Sequence, residues 1–394
     1  MKKILAMLLA LVMVMSLVAC GGEKPAETKA PVETNAPAES TPAESTPTVS
    51  DVEYKIAMIT DYGDITDQSF NQTTYEAVKA FSEANGVAYN YYKPQSDSDA
   101  DRIGMVEAAI ADGYNIIVMP GYAFGTTIKE TAEFYPEVLF FALDVGAGDF
   151  GDYVLPENVY SAIYQEELCG YMSGYAAVKL GYKHVGFLGG MAVPAVVRYG
   201  YGFVQGADAA AKELGIADEV KLEYIYGNQF WGDADITAVM DTWYGEKGVD
   251  CVFACGGGIW TSAAEAAVKV GGKVIGVDVD QAAIIDGMYG EGLTVTSAMK
   301  GLYPTTVDTL TDVVLNGNWA NYGGKISTLG LISADPEANY VQIPMATTQW
   351  ADAFTQEDYK AMVAGMFDGT ITVSSDIENA PATEIAVEYH PNIK

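Results

Sequence analysis

Carboxylates, aromatic rings, glycines and a lysine recur in this chain directly after short apolar segments. Carboxylates accept hydrogen bonds from hydroxyl and N–H groups, aromatic faces stack on flat rings, and glycine lets a backbone approach a ligand closely. Each residue alone has an ordinary explanation, such as a helix cap, a tight turn or core packing. Their recurrence over seven segments favours a binding site, and the residues concerned are Asp61, Asp67, Gly121, Tyr122, Asp144, Gly189, Gly190, Phe230, Trp231, Gly256, Gly257, Gly258, Asp278, Asp280 and Lys300.

Catalytic chemistry finds little support in the sequence. A phosphate-binding loop of the Walker type is absent, and the glycines from Gly256 lack the spacing of a dinucleotide fingerprint. Only two histidines, His184 and His390, are present, and neither has ligand-type neighbours in the sequence. Asp278 and Asp280 would lie about 6.6 Å apart on one side of a strand end. This spacing would permit acid/base catalysis of glycosidic bond hydrolysis, so that activity stays an open alternative. We expect a binding protein and no enzyme, with no cofactor and no metal.

The elements that must position these residues alternate at a spacing of about thirty residues. Short segments rich in Val and Ile alternate with amphipathic helical patterns, which indicates parallel sheets covered on both faces. The predicted strands cover 54–60, 87–92, 115–119, 138–143, 185–188, 221–226, 251–255, 273–277 and 294–298. Open parallel sheets bind ligands beyond the carboxyl ends of their strands, and that is where the residues above stand.

The alternation breaks near residues 158–165, where a strand leads into a long helix, and residues 294–300 are predicted to cross back. We therefore predict an α/β protein with two doubly wound parallel-sheet lobes joined by a hinge. Residues 340–394 predict a packed helix around Trp350 to Met362 and a short strand at Ile371 to Val373. The expected boundaries are 53–162 plus 297–325 for lobe 1, and 163–296 plus 326–394 for lobe 2.

The N-terminal segment has the pattern of a bacterial lipoprotein export signal. Lys2 and Lys3 precede an apolar run from Ile4 to Val18, and Leu17-Val18-Ala19-Cys20 looks like a lipobox. We expect residues 1–19 to be a signal peptide and Cys20 to carry the lipid that anchors the protein to the extracytoplasmic face of a bacterial cell membrane. A plain signal peptide with an incidental cysteine is the alternative. Residues 20–52, rich in Ala, Pro, Glu, Thr and Ser, predict a disordered linker.

The net charge and the cysteine positions bear on two further questions, whether the protein binds nucleic acid and whether it contains disulfide bonds. A formal net charge of -32 repels nucleic acid, so a DNA or RNA partner is not expected. Besides Cys20, the chain contains Cys169, Cys251 and Cys255. An odd number cannot all pair internally, and the last two would lie about 13 Å apart on a regular strand, so core thiols are predicted.

Four segments, in order, make this chain resemble the basic membrane protein family of lipoproteins, also called the PnrA-like purine nucleoside receptors. The segments are Asp67-Gln68-Ser69-Phe70-Asn71-Gln72 with Tyr75, Gly186 to Met191, Gly276 to Gln281, and Thr296 to Lys300. The resemblance implies a type I periplasmic-binding-protein-like fold. It also implies a monomeric substrate-binding component of an ABC importer, which captures a purine nucleoside and delivers it to a membrane permease.

The resemblance also implies roles for particular residues. In that family the base lies between aromatic side chains of the two lobes, which suggests Tyr75 as one face and Phe230 or Trp231 as the other. Asp67 would bond the edge of the base. The ribose would be held by carboxylates and a lysine, at Asp144, Asp278 and Lys300. The residues at neighbouring strand ends that complete the expected site are Tyr122, Met191 and Gly257.

Two other binding functions stay open on this evidence. Aromatic faces also stack on sugar rings, so a receptor for a sugar or another small hydroxylated signal molecule would use the same scaffold. The second is an adhesin, which would use the lipid anchor and linker but not the residues in the cleft between the two lobes.

Overall fold

The computed structural model of the protein describes residues 52–394. The predicted signal peptide, Cys20 and the linker as far as residue 51 lie outside the described residues. Across residues 52–394, no helix combines the length and the apolar character needed to cross a bilayer.

The described chain alternates strands and helices for most of its length. The strands are β1 (Lys55–Ile59), β2 (Ala88–Tyr92), β3 (Ile116–Pro120), β4 (Leu139–Leu143), β5 (Val159–Tyr164), β6 (His184–Gly189), β7 (Lys221–Tyr226), β8 (Cys251–Cys255), β9 (Lys273–Asp278), β10 (Thr294–Lys300), β11 (Lys325–Leu329), β12 (Val341–Gln342) and β13 (Ala386–Tyr389). The helices are α1 (Phe70–Asn85), α2 (Asp99–Ala111), α3 (Phe124–Thr131), α4 (Ala147–Phe150), α5 (Glu166–Lys179), α6 (Pro194–Leu214), α7 (Ala234–Thr242), α8 (Trp260–Ala267), α9 (Ala282–Tyr289), α10 (Leu302–Leu310) and α11 (Gln356–Phe367).

Two sheets organise the molecule, and the predicted doubly wound α/β class is confirmed. The first sheet has the order β11-β5-β4-β3-β1-β2 and is parallel throughout. The second has the order β12-β10-β9-β8-β6-β7-β13, in which only β12 runs antiparallel to its neighbour. Central strands such as β3 and β8 are buried at every position, which explains their continuous apolar sequences. The cysteines at 169, 251 and 255 are buried and free, as predicted.

Three connections join the two sheets, and the third shifts the predicted lobe boundaries. The chain passes from β5 to α5, from β10 to α10, and again from β11 to β12. Because β11 pairs with β5 along its whole length, residues 326–329 belong to the first sheet, whereas residues 297–300 belong to the second as part of β10. The segment Lys325 to Leu329 has three polar residues among its five and lies at a sheet edge, so it lacks the continuous apolar sequence of a central strand.

The C-terminal region contributes one helix and an edge strand. The predicted helix is α11, although Trp350 and Phe354 precede it and pack beside Tyr359 and each other. The predicted strand at Ile371 to Val373 is wrong, because Ile371 donates its N–H to the Gly365 carbonyl just after α11 instead of joining a sheet. The strand of this region is β13, which pairs in parallel with β7.

Helices α5 and α6 pack with their backbones in contact, because glycines face each other along both. A Cβ on Gly174 would lie 2.1 Å from the Phe203 carbonyl oxygen, and one on Gly206 would lie 2.0 Å from the Tyr171 carbonyl oxygen. Both distances are far inside van der Waals contact, so only glycine allows this spacing. The pair brings the first residue of α5, Glu166, close to the second turn of α6.

Replacing Gly206 with alanine tests this packing. Alanine is intrinsically better in a helix, yet its methyl group must force α5 and α6 apart, so the free energy of unfolding should fall by about 1–3 kcal/mol. The matched control is Gly104→Ala in α2, where a Cβ meets nothing within 4 Å and the free energy of unfolding should rise by about 0.5–1 kcal/mol. Urea unfolding measures both, and equal effects of the two substitutions would contradict the packing described.

Candidate functional site

The carboxyl ends of strands from both sheets border one cavity, which encloses about 670 Å³ counted to its open mouth. Ten residues were predicted for the site, and seven of them line this cavity: Asp67, Tyr122, Asp144, Phe230, Gly257, Asp278 and Lys300. Tyr75, Met191 and Trp231 do not line it.

Lys300, the last residue of β10, is 5% exposed and lies among three carboxylates. Its Nζ pairs most closely with Asp144 Oδ2 and lies 3.4 Å from Glu166 Oε1 and 3.7 Å from Asp278 Oδ1. Burial by itself would lower the pKa of Lys300, but the three carboxylates raise it above the usual lysine value. Lys300 is therefore an ammonium that joins the first lobe, through Asp144, to the second.

Asp144 and Asp278 occupy equivalent positions at the ends of β4 and β9. Both have left-handed backbone conformations, with φ of 61° and 65°, which are uncommon for residues other than glycine and tolerated best by Asn and Asp. Burial, reinforced by Glu166 and opposed by Lys300, raises the pKa of Asp144 to about 6. Its Oδ1 is buried and has no hydrogen-bond partner among the described residues. This oxygen is an acceptor available to a ligand.

Three further residues complete the polar network, and sequence reasoning missed all of them. Arg198 donates from Nε to Glu166 Oε2 at 2.6 Å. The Ser69 hydroxyl donates to Asp278 Oδ2, and the Tyr199 hydroxyl donates to Asp278 Oδ1 at 3.3 Å. Because Ser69 belongs to the first lobe and Asp278 to the second, this network is a second link across the cleft.

Asp67 does not have the free carboxylate that the predicted contact with a base requires. Its Oδ1 accepts from the backbone N–H groups of Ser69 and Gln72, and its Oδ2 accepts from the backbone and side-chain nitrogens of Asn71. A carboxylate has about four acceptor positions, and these are filled by the start of α1. The available acceptor at this place is Asn71 Oδ1, which is buried and lacks a partner among the described residues.

Tyr75, which was predicted as a stacking face, lies outside the cavity, and the ring of α1 that lines the cavity is Phe70. Tyr75 packs against Tyr89 and Tyr91, at ring-centroid distances of 6.4 and 5.4 Å, outside the cavity. Phe70 lines the cavity with Lys300 Nζ 4.7 Å from its ring centroid. Five residues turn a helix by about 500°, so the two side chains point about 140° apart. The helical period of α1 was the signal that could have separated them.

The opposite wall is formed by Phe230, which fits between two glycine segments. A Cβ on Gly190 would lie 2.4 Å from a carbon of the Phe230 ring, so this ring position requires glycine there. The neighbouring Trp231 is 47% exposed and packs edge-on against Tyr62 of the first lobe, with centroids 6.0 Å apart. Met191 Sδ accepts from the Tyr122 hydroxyl at 3.7 Å. Trp231 and Met191 therefore connect the lobes beside the cavity instead of lining it.

The cavity and its two lobes can now be compared with known proteins. Residues 54–346 match the family model described as ABC transporter substrate-binding protein PnrA-like. The chain belongs to this PnrA-like family. A member from Lactococcus lactis subsp. cremoris, the ABC transporter nucleoside-binding protein BmpA, is 26% identical over 82% of this chain and 89% of its own length. Basic membrane protein B of Borreliella afzelii is 29% identical over 70% of this chain and 78% of its own.

Solved structures support the fold. A solute-binding protein of an ABC transporter system from Aeropyrum pernix K1 superposes with a TM-score of 0.61 at 20% identity, covering 81% of this chain and 87% of that one. The match to the family model confirms the predicted family, and the superposition confirms the predicted periplasmic-binding type of fold. As a PnrA-like protein, the chain is a substrate-binding protein of the ABC transporter class.

Replacing Lys300 with methionine tests its place in the site. The variant leaves three carboxylates without their cation, so the free energy of unfolding at pH 7 should fall by about 3–5 kcal/mol. Because the fold raises the pKa of Lys300, the wild-type contribution persists throughout the range below the usual lysine pKa. In the variant, loss of the ammonium raises the pKa of Asp144 above about 6, so proton uptake by Asp144 relieves the repulsion and the deficit should shrink as the pH falls from alkaline values towards about 6.

The control is Lys360→Met, which removes an exposed lysine paired with Glu357 on α11. An exposed pair contributes little, so this variant should unfold like the wild type. Chemical unfolding across the pH range checks both proteins. A Lys300→Met deficit that stays constant with pH would contradict the role of the carboxylates.

Proposed function

We propose that this PnrA-like protein captures a purine nucleoside in the cleft between its lobes and delivers it to an ABC permease without chemical change. The observation that carries the proposal is the Lys300 network next to Phe70 and Phe230. One cavity thus combines apolar rings from both lobes with buried acceptors. A nucleoside has the matching halves, because its base offers a flat π-face and its ribose offers hydroxyl donors.

Two buried oxygens that have no hydrogen-bond partner within residues 52–394 fit donors of such a ligand. Asp144 Oδ1 lies in the Lys300 network and suits a ribose hydroxyl, because hydrogen bonds to charged groups contribute about 1.5–3 kcal/mol. Asn71 Oδ1 lies one residue from Phe70, and suits an N–H group on the edge of a base stacked on that ring. A ligand that lacks these donors would leave both oxygens buried and unpaired.

The charge of the cavity favours a nucleoside over a nucleotide. Three carboxylates, Asp144, Asp278 and Glu166, are balanced by two cations, Lys300 and Arg198, which leaves one negative charge in excess. Asp61 and Asp67 also line the cavity. A phosphate group would meet this negative field after losing its hydration, so we expect phosphorylated ligands to be rejected.

Transport requires that the receptor stay near its permease. The lipobox at Leu17 to Cys20 and the linker that follows would tether the protein to the extracytoplasmic face of the membrane while leaving the cleft free to sample solutes. Links between the lobes, such as Gln281 Nε2 donating to the Gln68 carbonyl at 3.1 Å, would then form as the cleft closes on its ligand. A monomeric receptor satisfies this arrangement.

Binding is tested with a panel of nucleosides, free bases, nucleotides and sugars in thermal unfolding, followed by calorimetry. A ligand at 100 times its Kd adds about 2.7 kcal/mol to the free energy of unfolding, so nucleosides should raise the Tm clearly. Phe70→Ala should weaken nucleoside binding by about 10-fold to 100-fold, since stacking contributes about 1–3 kcal/mol per base.

The matched control is Tyr75→Ala on the same helix, which should leave the affinity unchanged because Tyr75 packs against Tyr89 and Tyr91. Stabilisation by sugars and not by nucleosides would favour the sugar-receptor alternative. Equal losses in both variants would contradict the stacking role of Phe70. Release of free base from a nucleoside during the assay would contradict a function without catalysis.

A further inference from the structure

The two histidines of this chain contact the same buried carboxylate, that of Glu223, which is distant from both in the sequence. His184 Nε2 lies 3.1 Å from Glu223 Oε1, and His390 Nε2 pairs with Glu223 Oε2. The expectation that these histidines have no ligand-type neighbours is therefore wrong. Strands β6, β7 and β13 are adjacent in the second sheet and bring the three residues together.

A fourth residue, Glu388, adds a second carboxylate. It stands directly opposite Glu223 in the register of β13 and β7. One ligand-type atom from each of Glu223, Glu388 and His390 lies within 4.8 Å of the others. Glu223 is 5% exposed, whereas Glu388 and His390 border a pocket at the surface. The cluster is thus anchored in the sheet and reachable from solvent.

A cation already stands at this cluster in the form of Lys247. Its Nζ lies 2.7 Å from Glu223 Oε2, 3.5 Å from His390 Nε2 and 3.6 Å from Glu388 Oε2. The Lys247 side chain is 31% exposed and ends a helical segment, Trp243–Lys247, so it can turn into solvent.

We propose that Glu223, Glu388 and His390 form a binding site for Zn²⁺, with water as a fourth ligand and His184 holding the Glu223 carboxylate in place, and that the ion displaces Lys247. Imidazole nitrogens and a carboxylate oxygen are ligands that Zn²⁺ accepts at about 2.0–2.2 Å. Ligand atoms of a tetrahedral ion at such distances lie about 3.3 Å from each other, so Glu223, Glu388 and His390, whose ligand atoms lie within 4.8 Å of one another, need only a small movement to bind one ion.

The site would clamp the C-terminal strand to the second lobe. Glu388 belongs to β13 and His390 directly follows it, while Glu223 belongs to β7. An ion that binds all three gains affinity only when the strands are paired, so it stabilises the folded state. The cluster lies outside the residues that line the ligand cavity, so zinc and the proposed nucleoside would bind independently.

The test uses the full chain without an affinity tag, purified in a chelator and labelled with ¹⁵N-histidine. Calorimetry with ZnCl₂ should give one equivalent bound, and the imidazole NMR signals should shift for both histidines, which are the only two in the chain. Co²⁺ should give the visible absorption of a tetrahedral site. Zn²⁺ should also raise the Tm.

Variants separate a metal site from general attraction to an acidic protein. His390→Gln and Glu223→Gln should each weaken Zn²⁺ binding by at least about tenfold, since even changes that only reorient a zinc ligand cost about 10–100-fold. Lys247→Met should tighten binding by up to about fivefold, because it removes the competing cation. The control is Glu384→Gln, which removes a carboxylate that lies just before β13 and pairs with Lys212. It should leave the Zn²⁺ affinity unchanged.

Each variant is first melted in chelator, so that loss of folding is recognised separately. Zinc binding without shifts of the imidazole signals would overturn the proposal, as would equal weakening by Glu384→Gln and His390→Gln. Binding detected only in Lys247→Met would also overturn it, because the wild-type cluster would then be an ion-pair network alone.

Discussion

The buried ammonium of Lys300 is the interaction on which the rest of the cleft depends. It is held at the end of β10 by carboxylates that come from different parts of the chain, and Asp144 lies in the opposite lobe. The first lobe could not bury Asp144 without this lysine, since an unpaired buried charge costs several kcal/mol. The same network that satisfies the charges therefore links the lobes, and it leaves acceptors in the cavity for a ligand.

The fold supplies what this network needs through two local devices. Left-handed backbone at Asp144 and Asp278 ends the strands so that both carboxylates reach Lys300. The close pairing of α5 and α6 brings Glu166 to Arg198, which neutralises part of the negative charge below the lysine. Sparsely populated backbone conformations persist where the surroundings determine them fully, and they gather at functional sites.

Much of this arrangement could be predicted from sequence, for a physical reason. Open parallel sheets bind ligands beyond the carboxyl ends of their strands, so local pattern made Asp144, Asp278 and Lys300 site candidates, and the family resemblance grouped the three as one subsite. The roles of Asp67 and Phe70 were harder to predict. Whether a carboxylate caps a helix or binds a ligand depends on backbone geometry, and which of two rings faces a cavity depends on the helical phase. The edge strands β11 and β13 were not predicted because few of their side chains are buried. Without β13, the contact between His390 and Glu223 could not be predicted either.

The central claim is that the Lys300 cleft holds a nucleoside, and native mass spectrometry of freshly purified protein tests it most directly. A closed receptor often retains its ligand through purification. We predict a single adduct with the mass of one purine nucleoside, released on denaturation and absent from protein carrying Asp278→Ala. An adduct with the mass of a sugar, or a nucleoside adduct that survives Asp278→Ala undiminished, would contradict the proposed site.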